Sequence, residues 1–169
     1  ILDKSDFKSI LIDAHSKLLH AIENPIGIFD LKKDRSRFSM DWYYPILSGA
    51  SLENNFETLI KKITDVFWIP DFGIKCVSDE PWVTVAETSE CSIAFKKIGH
   101  EKNAMELLLN AAAIVDKNSV PFMGWQLEEK IYWPEETPSW TSAALILAAD
   151  ANNTLTKASN LFLIKQFNY

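Results

Sequence analysis

Apolar positions recur along the chain with the 3.6-residue period of an α-helix, and they define two alternating kinds of helix. In the first kind the apolar residues fall on one side, which is typical of a helix with one buried and one solvated face. These outer helices are predicted over residues 6–24, 52–67 and 102–116. The second kind is less polar all round, which indicates burial on most sides. These inner helices are predicted over residues 44–50, 81–98 and 138–151.

The alternation of outer and inner helices predicts the fold class. Three helix pairs in series, with a last helical segment over residues 155–164, indicate an all-α domain of αα-hairpin repeats. Trp42, Trp82 and Trp140 stand at the heads of the three inner helices, and this recurrence supports the repeat.

Two connections interrupt the repeat, at residues 26–38 and 118–137. The first is polar and charged. The second is rich in aromatic and acidic residues, and a connection of about twenty residues in a compact domain is usually functional. A short β-hairpin is expected within it, around Trp125 to Tyr132.

The composition argues against several classes of partner and cofactor. The net charge is −6 and no Lys/Arg cluster stands out, which argues against nucleic acid or an anionic membrane as a partner. No apolar run is long enough to span a bilayer. Cys76 and Cys91 fit neither a disulfide scaffold nor a zinc site. No metal or cofactor is therefore predicted, and a cytoplasmic location with reduced thiols is expected.

Carboxylates and aromatic side chains cluster at the heads of the inner helices. Asp41 precedes three consecutive aromatic residues, and Asp79 precedes Trp82. Glu87 and Glu90 are spaced i, i+3 and therefore share a helix face. Since a buried carboxylate needs a partner or a purpose, this pattern favours chemistry at the helix heads. The alternative is structural: the acidic residues cap helices or lie on a solvated strip, and the tryptophans belong to the core.

Three segments of the chain resemble a group of bacterial proteins that are described as prenyltransferase-like or squalene-cyclase-like. The segments are residues 41–47, 76–88 and 140–151, and the resemblance extends over about residues 38–151. It implies an (α/α)6 toroid, in which inner helices line a cavity and the loops before them form its mouth. The chain would supply about half of this ring, the C-terminal half.

The resemblance also bears on the domain organisation. The chain starts at Ile1, and residues 1–169 are predicted to form one helical-hairpin domain in the C-terminal part of a longer protein. A second copy in a homodimer, or a missing N-terminal half, would then complete the ring.

The ligand class is inferred from the residue types. Terpenoid cyclases require an Asp-x-Asp-Asp or Asp-Asp-x-x-Asp cluster and protein prenyltransferases a zinc site, and the sequence contains neither pattern. Aromatic rings and several carboxylates suit a glycan, since a glycoside hydrolase needs two carboxyl groups about 5–10 Å apart. The preferred hypothesis is a carbohydrate-active or glycan-binding domain. A terpenoid cyclase or prenyltransferase, and a non-catalytic binding domain, are the alternatives.

Specific residues are assigned to these roles. The predicted acid and base candidates are Asp41, Glu87 and Asp79. The predicted substrate-binding residues are Trp42, Tyr43, Trp82, Trp125, Trp133, Trp140 and Glu128. In a toroid these side chains would converge on one cavity, and the ligand would be a small molecule or a glycan.

Overall fold

Helices account for most of the structure. The computed structural model describes residues 4–21, 34–49 and 56–164. The α-helices in these ranges are α1 (Lys4–Ala21), α2 (Met40–Ser48), α3 (Phe56–Lys62), α4 (Val85–Lys97), α5 (Glu101–Ala113) and α6 (Ser139–Asn153). A π-helical turn over Ile63–Phe67 continues α3, and a 3-10 helix over Lys157–Asn160 follows α6. Each predicted helix corresponds to one of these elements, and the predicted boundaries at residues 24, 26, 50 and 52 lie outside the described residues.

The prediction of an all-α domain is wrong, because the described residues include two small antiparallel sheets in connections between the helices. The first sheet pairs β1 (Trp68–Ile69) with β2 (Gly73–Ile74). The second has the order β3-β4-β5, with strands Trp82–Thr84, Gly124–Gln126 and Ile131–Tyr132. The described part of the chain is therefore mainly helical with two small sheets, and the predicted half-toroid of αα-hairpins is not confirmed.

The second sheet explains why α4 is shorter than predicted. The sequence predicts that this helix begins at Pro81. In the structure Trp82 pairs with Gln126 and Thr84 pairs with Gly124 across the sheet. Helix α4 therefore begins at Val85. The predicted hairpin in the long aromatic connection is confirmed, since β4 and β5 pair antiparallel and Trp125 lies opposite Tyr132.

Helix α2 begins earlier than predicted, at Met40 instead of Tyr44. The backbone N–H of Ser39 donates to the Cys76 carbonyl oxygen at 3.0 Å, which anchors the start of the helix to the chain that leads toward β3. The Trp42 indole N–H donates to the Ser36 carbonyl oxygen at 2.9 Å. Trp42 is consequently buried in the first helical turn and does not project from a leading loop.

Helix α4 is the centre of the helical layer, because it packs against α2, α5 and α6. Phe95 of α4 is fully buried and makes edge-to-face contacts with the rings of Trp68 and His100 at 5.7 and 5.8 Å. Helix α6 is less buried than predicted, since Trp140 and Ile146 on it are exposed.

The apolar stripe of α1 is also exposed in the described part of the chain. Its members Phe7, Ile10 and Leu11 keep 44–56% of their surface accessible. No described helix is both long and apolar enough to cross a lipid bilayer.

Gly124 sets how closely β3 and β4 approach each other. A Cβ at this position would clash with the Val83 carbonyl oxygen and would lie 2.5 Å from the Trp82 indole nitrogen. Gly124→Ala is therefore expected to lower the free energy of unfolding by about 3 kcal/mol, because overpacking forces the two strands apart. Urea denaturation followed by circular dichroism measures this loss.

Gly99→Ala is the matched control for this substitution. A Cβ at Gly99 meets no atom within 4 Å, although the residue has φ +84°. In this control the free energy of unfolding should fall only by the cost of holding an alanine in left-handed backbone, about 1 kcal/mol. Equal losses in the two variants would contradict a steric role for Gly124.

Candidate functional site

A cavity of about 730 Å³ lies where α2, α4 and α6 come together. This volume is in the range of small-molecule sites. The lining residues are Asp41, Tyr44, Pro45, Leu47, Ser48, Glu90, Ile93, Trp140, Ala143, Ala144, Leu147 and Phe162. Most of these side chains are apolar, so the polar chemistry of the cavity is concentrated in Asp41, Tyr44, Ser48 and Glu90.

Asp41, in the first turn of α2, is an ion-paired carboxylate in the cavity wall. The Arg35 guanidinium donates from Nε to Oδ2 at 2.8 Å and from Nη2 to Oδ1 at 3.3 Å. Only about a tenth of the Asp41 side chain is exposed, whereas Arg35 keeps 40% of its side chain accessible. Such a two-point contact fixes the plane of the carboxylate.

Glu90, in the middle of α4, has the opposite environment. Burial raises the pKa of its carboxyl group above the ordinary value, and the neighbouring negative charge of Glu87 adds to the rise. Hydrogen bonds from Tyr43 and Tyr44 lower this pKa and so oppose the effect in part. The Tyr43 phenol donates to Glu90 Oε2 at 2.8 Å.

The two tyrosines remain protonated and act as hydrogen-bond donors. Burial, followed by the charge of Glu90, raises the pKa of Tyr44 to about 12, and the same two causes raise the pKa of Tyr43 well above its ordinary value. Their rings meet edge to face with centroids 5.1 Å apart. Tyr44 lines the cavity, whereas Tyr43 is fully buried and is not among the lining residues.

Glu87 lies one turn before Glu90 on α4, and it does not line the cavity. Its Oε2 atom is buried without a hydrogen-bond partner in the described part of the chain. Burial, the charge of Glu87 and a hydrogen bond to Glu87 raise the pKa of the Cys76 thiol to about 12. The thiol is therefore protonated at neutral pH.

The remaining predicted site residues lie away from the cavity. Asp79 is exposed and forms an ion pair with Arg37, whose Nη2 lies 2.8 Å from Oδ1. This hydrogen bond lowers the pKa of Asp79. The predicted binding residues Trp42, Tyr43, Trp82, Trp125, Trp133 and Glu128 do not line the cavity either.

Their surroundings explain this placement. Trp42 and Tyr43 are buried in α2. Trp125 lies in β4, with its ring edge to face on Tyr132 at 5.1 Å. Trp133 and Glu128 are exposed on the β4–β5 hairpin and the residues that follow it.

The structure thus brings Asp41 and Trp140 together at one cavity and adds two residues that were not among the predicted site residues, Tyr44 and Glu90. Both additions carry a sequence signal. Tyr44 follows Asp41 by three residues, and Glu90 follows Glu87 by three, so each shares a helix face with a predicted residue. No group of three or more metal-ligating side chains is found among the described residues.

No protein-family model matches the chain, so the resemblance to prenyltransferase-like proteins has no support from that comparison. A relative from Mycolicibacterium hassiacum, named MMP endo-(1,4)-3-O-methyl-alpha-D-mannosidase, is 36% identical over 149 residues. The match covers 88% of this chain and 41% of the relative. The chain therefore spans less than half the length of this relative, whose name denotes a glycan-cleaving enzyme.

Proposed function

We propose that the chain belongs to a glycan-active protein that hydrolyses an α-mannosidic bond, and that the reaction takes place at the cavity between α2, α4 and α6. The observation that carries the proposal is the pair Asp41 and Glu90, two carboxyl groups with opposite environments in one cavity. The 36% identity to a protein named as a mannosidase supports the same reaction class.

Hydrolysis of a glycosidic bond needs one carboxyl group that is protonated and one that is charged. A buried group with a raised pKa is suited to be the acid, and an ion-paired carboxylate to be the base or nucleophile. Glu90 is buried beside the negative charge of Glu87, and Asp41 is paired with Arg35. In this proposal Glu90 is the acid and Asp41 is its partner.

The proposed reaction cleaves the bond between the glycosidic oxygen and the sugar C1. Glu90 gives its proton to the glycosidic oxygen as the bond from that oxygen to the sugar C1 breaks. Asp41 either removes a proton from the water that attacks C1 or attacks C1 itself. In the second case Glu90, now a carboxylate, takes a proton from the water that attacks C1 in the next step, and the bond from C1 to Asp41 breaks to release the sugar. Glu87, predicted from the sequence as a reacting group, supports Glu90 through its nearby charge.

The proposed substrate is an O-methylated α-mannoside, as in the name of the relative. Leu47, Ala144 and Leu147 make part of the cavity wall apolar. A methyl ether has no hydroxyl hydrogen, so burying it against such a wall leaves no donor unpaired. The alternative terpenoid activity is not supported by either comparison.

The activity is assigned to a longer protein of which this chain is one domain, as the sequence predicts. The match to 41% of the relative supports this organisation. Residues outside this chain would then contribute to substrate binding.

The proposal is tested by incubating the purified full-length protein with α-(1,4)-linked 3-O-methylmannose oligosaccharides and separating the products by chromatography. Shorter methylated oligosaccharides are expected, and proton NMR of the first product gives the configuration at C1. Absence of products from methylated and unmethylated α-(1,4)-mannosides would refute the hydrolytic function. Calorimetric binding without turnover would favour the non-catalytic alternative.

Trp140 is expected to stack on a sugar ring. It lines the cavity and yet leaves half of its surface accessible, which presents an aromatic face to a ligand. Trp140→Ala should raise KM about tenfold, which corresponds to about 1.4 kcal/mol of lost binding. The full-length protein and steady-state kinetics measure this effect.

Ile146→Ala is the control for this variant, because Ile146 lies on the same helix, is exposed and does not line the cavity. Its KM should match that of the wild type. The stacking role of Trp140 would be disproved by an unchanged KM in Trp140→Ala.

A further inference from the structure

Tyr43 contacts Glu90 from the interior of the protein. Its side chain has no accessible surface, and its phenol donates to Glu90 Oε2 at 2.8 Å. The next residue, Tyr44, lines the cavity, and its phenol lies close enough to Glu90 to lower the pKa of the same carboxyl group. Glu90 therefore has a hydrogen-bonded phenol on the core side and a second phenol on the cavity side.

The two phenols differ in how firmly they can hold the carboxyl group. The torsion that rotates a glutamate carboxyl group is broad and has little intrinsic preference. Close-packed side chains in the core stay near one rotamer, and Tyr43 belongs to the core cluster that includes Ile46 and Phe95. Tyr44 is 45% exposed and has fewer constraints. The orientation of the Glu90 carboxyl group is therefore set mainly by Tyr43.

The neighbouring carboxyl group lacks such a donor. Glu87 shares a helix face with Glu90, and its Oε2 atom is buried without a hydrogen-bond partner among the described residues. The buried phenol of Tyr43 therefore distinguishes Glu90 from Glu87.

We propose that Tyr43 is a positioning residue: its buried phenol holds Oε2 of Glu90, so that Oε1 carries the proton and faces the ligand. This inference rests on the proposed function, because it assigns Glu90 the role of proton donor. Tyr43 itself does not touch the substrate, although the sequence predicts it as a sugar-stacking residue.

Tyr43→Phe tests the inference because it removes the donor and keeps the ring. In the full-length protein kcat should fall about tenfold, the effect of losing one hydrogen bond to the protonated carboxyl group, and KM should change less than twofold. Tyr132→Phe removes a phenol from the β4–β5 hairpin, outside the cavity, and is expected to leave both constants unchanged. A normal kcat in Tyr43→Phe would overturn the inference.

The pH dependence of kcat gives a second test, and the direction of the expected shift is defined. An acid catalyst must be protonated, so activity is lost as the pH rises through its pKa. The Tyr43 hydrogen bond lowers the pKa of Glu90, so Tyr43→Phe should move the alkaline limb of the kcat profile to higher pH. The titratable groups facing Glu90 are Asp41, Tyr43 and Tyr44 from α2 and Glu87 and Cys91 from α4. The lining residues of α6 are not titratable.

A titration that needs no turnover separates the two proposals. The carboxyl carbon of Glu90 can be followed by 13C NMR against pH in wild type, Tyr43→Phe and Tyr132→Phe. A higher pKa only in Tyr43→Phe would support the inference even if the wild type cleaved no glycan, an outcome that would refute the proposed hydrolysis alone. The same Glu90 titration in all three proteins would refute the positioning role, whether or not the wild type is active.

Discussion

Glu90→Gln is expected to lower kcat for cleavage of α-(1,4)-linked 3-O-methylmannose oligosaccharides by about 10²–10⁴-fold, the usual contribution of a general acid. The amide keeps the shape of the side chain and cannot release a proton to the leaving oxygen. Glu106→Gln, on an exposed position of α5, is the matched control and should retain full activity. Steady-state kinetics of the full-length proteins give the comparison.

The leaving group distinguishes the role of Glu90 from that of Asp41. A nitrophenyl glycoside of the same sugar needs little protonation to depart, so Glu90→Gln should lose much less kcat/KM on this substrate. Asp41→Asn should be impaired on both substrates, because attack at C1 is required in each case. Equal loss by Glu90→Gln on both substrates would show that Glu90 is not the acid.

Phe95→Ala is expected to lower the free energy of unfolding by about 3–5 kcal/mol, as for other fully buried phenylalanines. Phe95 is fully buried on α4, and its ring contacts Trp68 and His100. Truncation would remove these contacts and leave a cavity in the middle of the helical layer. The loss is measured from urea unfolding curves of wild type and variant.

Phe72→Ala is the matched control for this truncation. Phe72 keeps 38% of its surface accessible, so less apolar area is lost from the interior. Its unfolding free energy should change by about 1 kcal/mol or less. A loss in Phe95→Ala no greater than in Phe72→Ala would contradict the central position assigned to α4.

The helices were predictable because their apolar residues repeat with a period that few other structures produce. The β4–β5 hairpin was predictable for a similar reason, since a long aromatic connection favours paired strands. Strand β3 was not predictable. Trp82, Val83 and Thr84 fit the period of the following helix, and only their pairing with β4, about forty residues later in the chain, makes them a strand. A local pattern contains no information about such a distant partner.

The candidate site was predictable to a similar extent. The sequence predicts Asp41 and Trp140 as site residues, and both line the cavity. It predicts Tyr43 as a sugar-stacking residue, but the earlier start of α2 turns its ring into the core. The spacing places Glu90 on the same helix face as Glu87, yet the choice between the two glutamates depends on which one faces α6. Tertiary packing determines which glutamate faces α6, and the spacing of the two residues does not reveal it.

The central position of α4 has a consequence for how ligands of different size are accommodated. Helix α4 is enclosed by α2, α5 and α6 and bears Glu90, whereas α2 and α6 have an accessible side. Close-packed interiors deform little, so the surface helices are the elements that can shift. Glu90 is then the fixed reference point of the cavity. Helix α2 carries the buried Tyr43, which is hydrogen-bonded to Glu90 and stays with α4. A bulkier or longer ligand would therefore be admitted by outward displacement of α6, which changes the distance from Glu90 to Trp140 and leaves Glu90 in place.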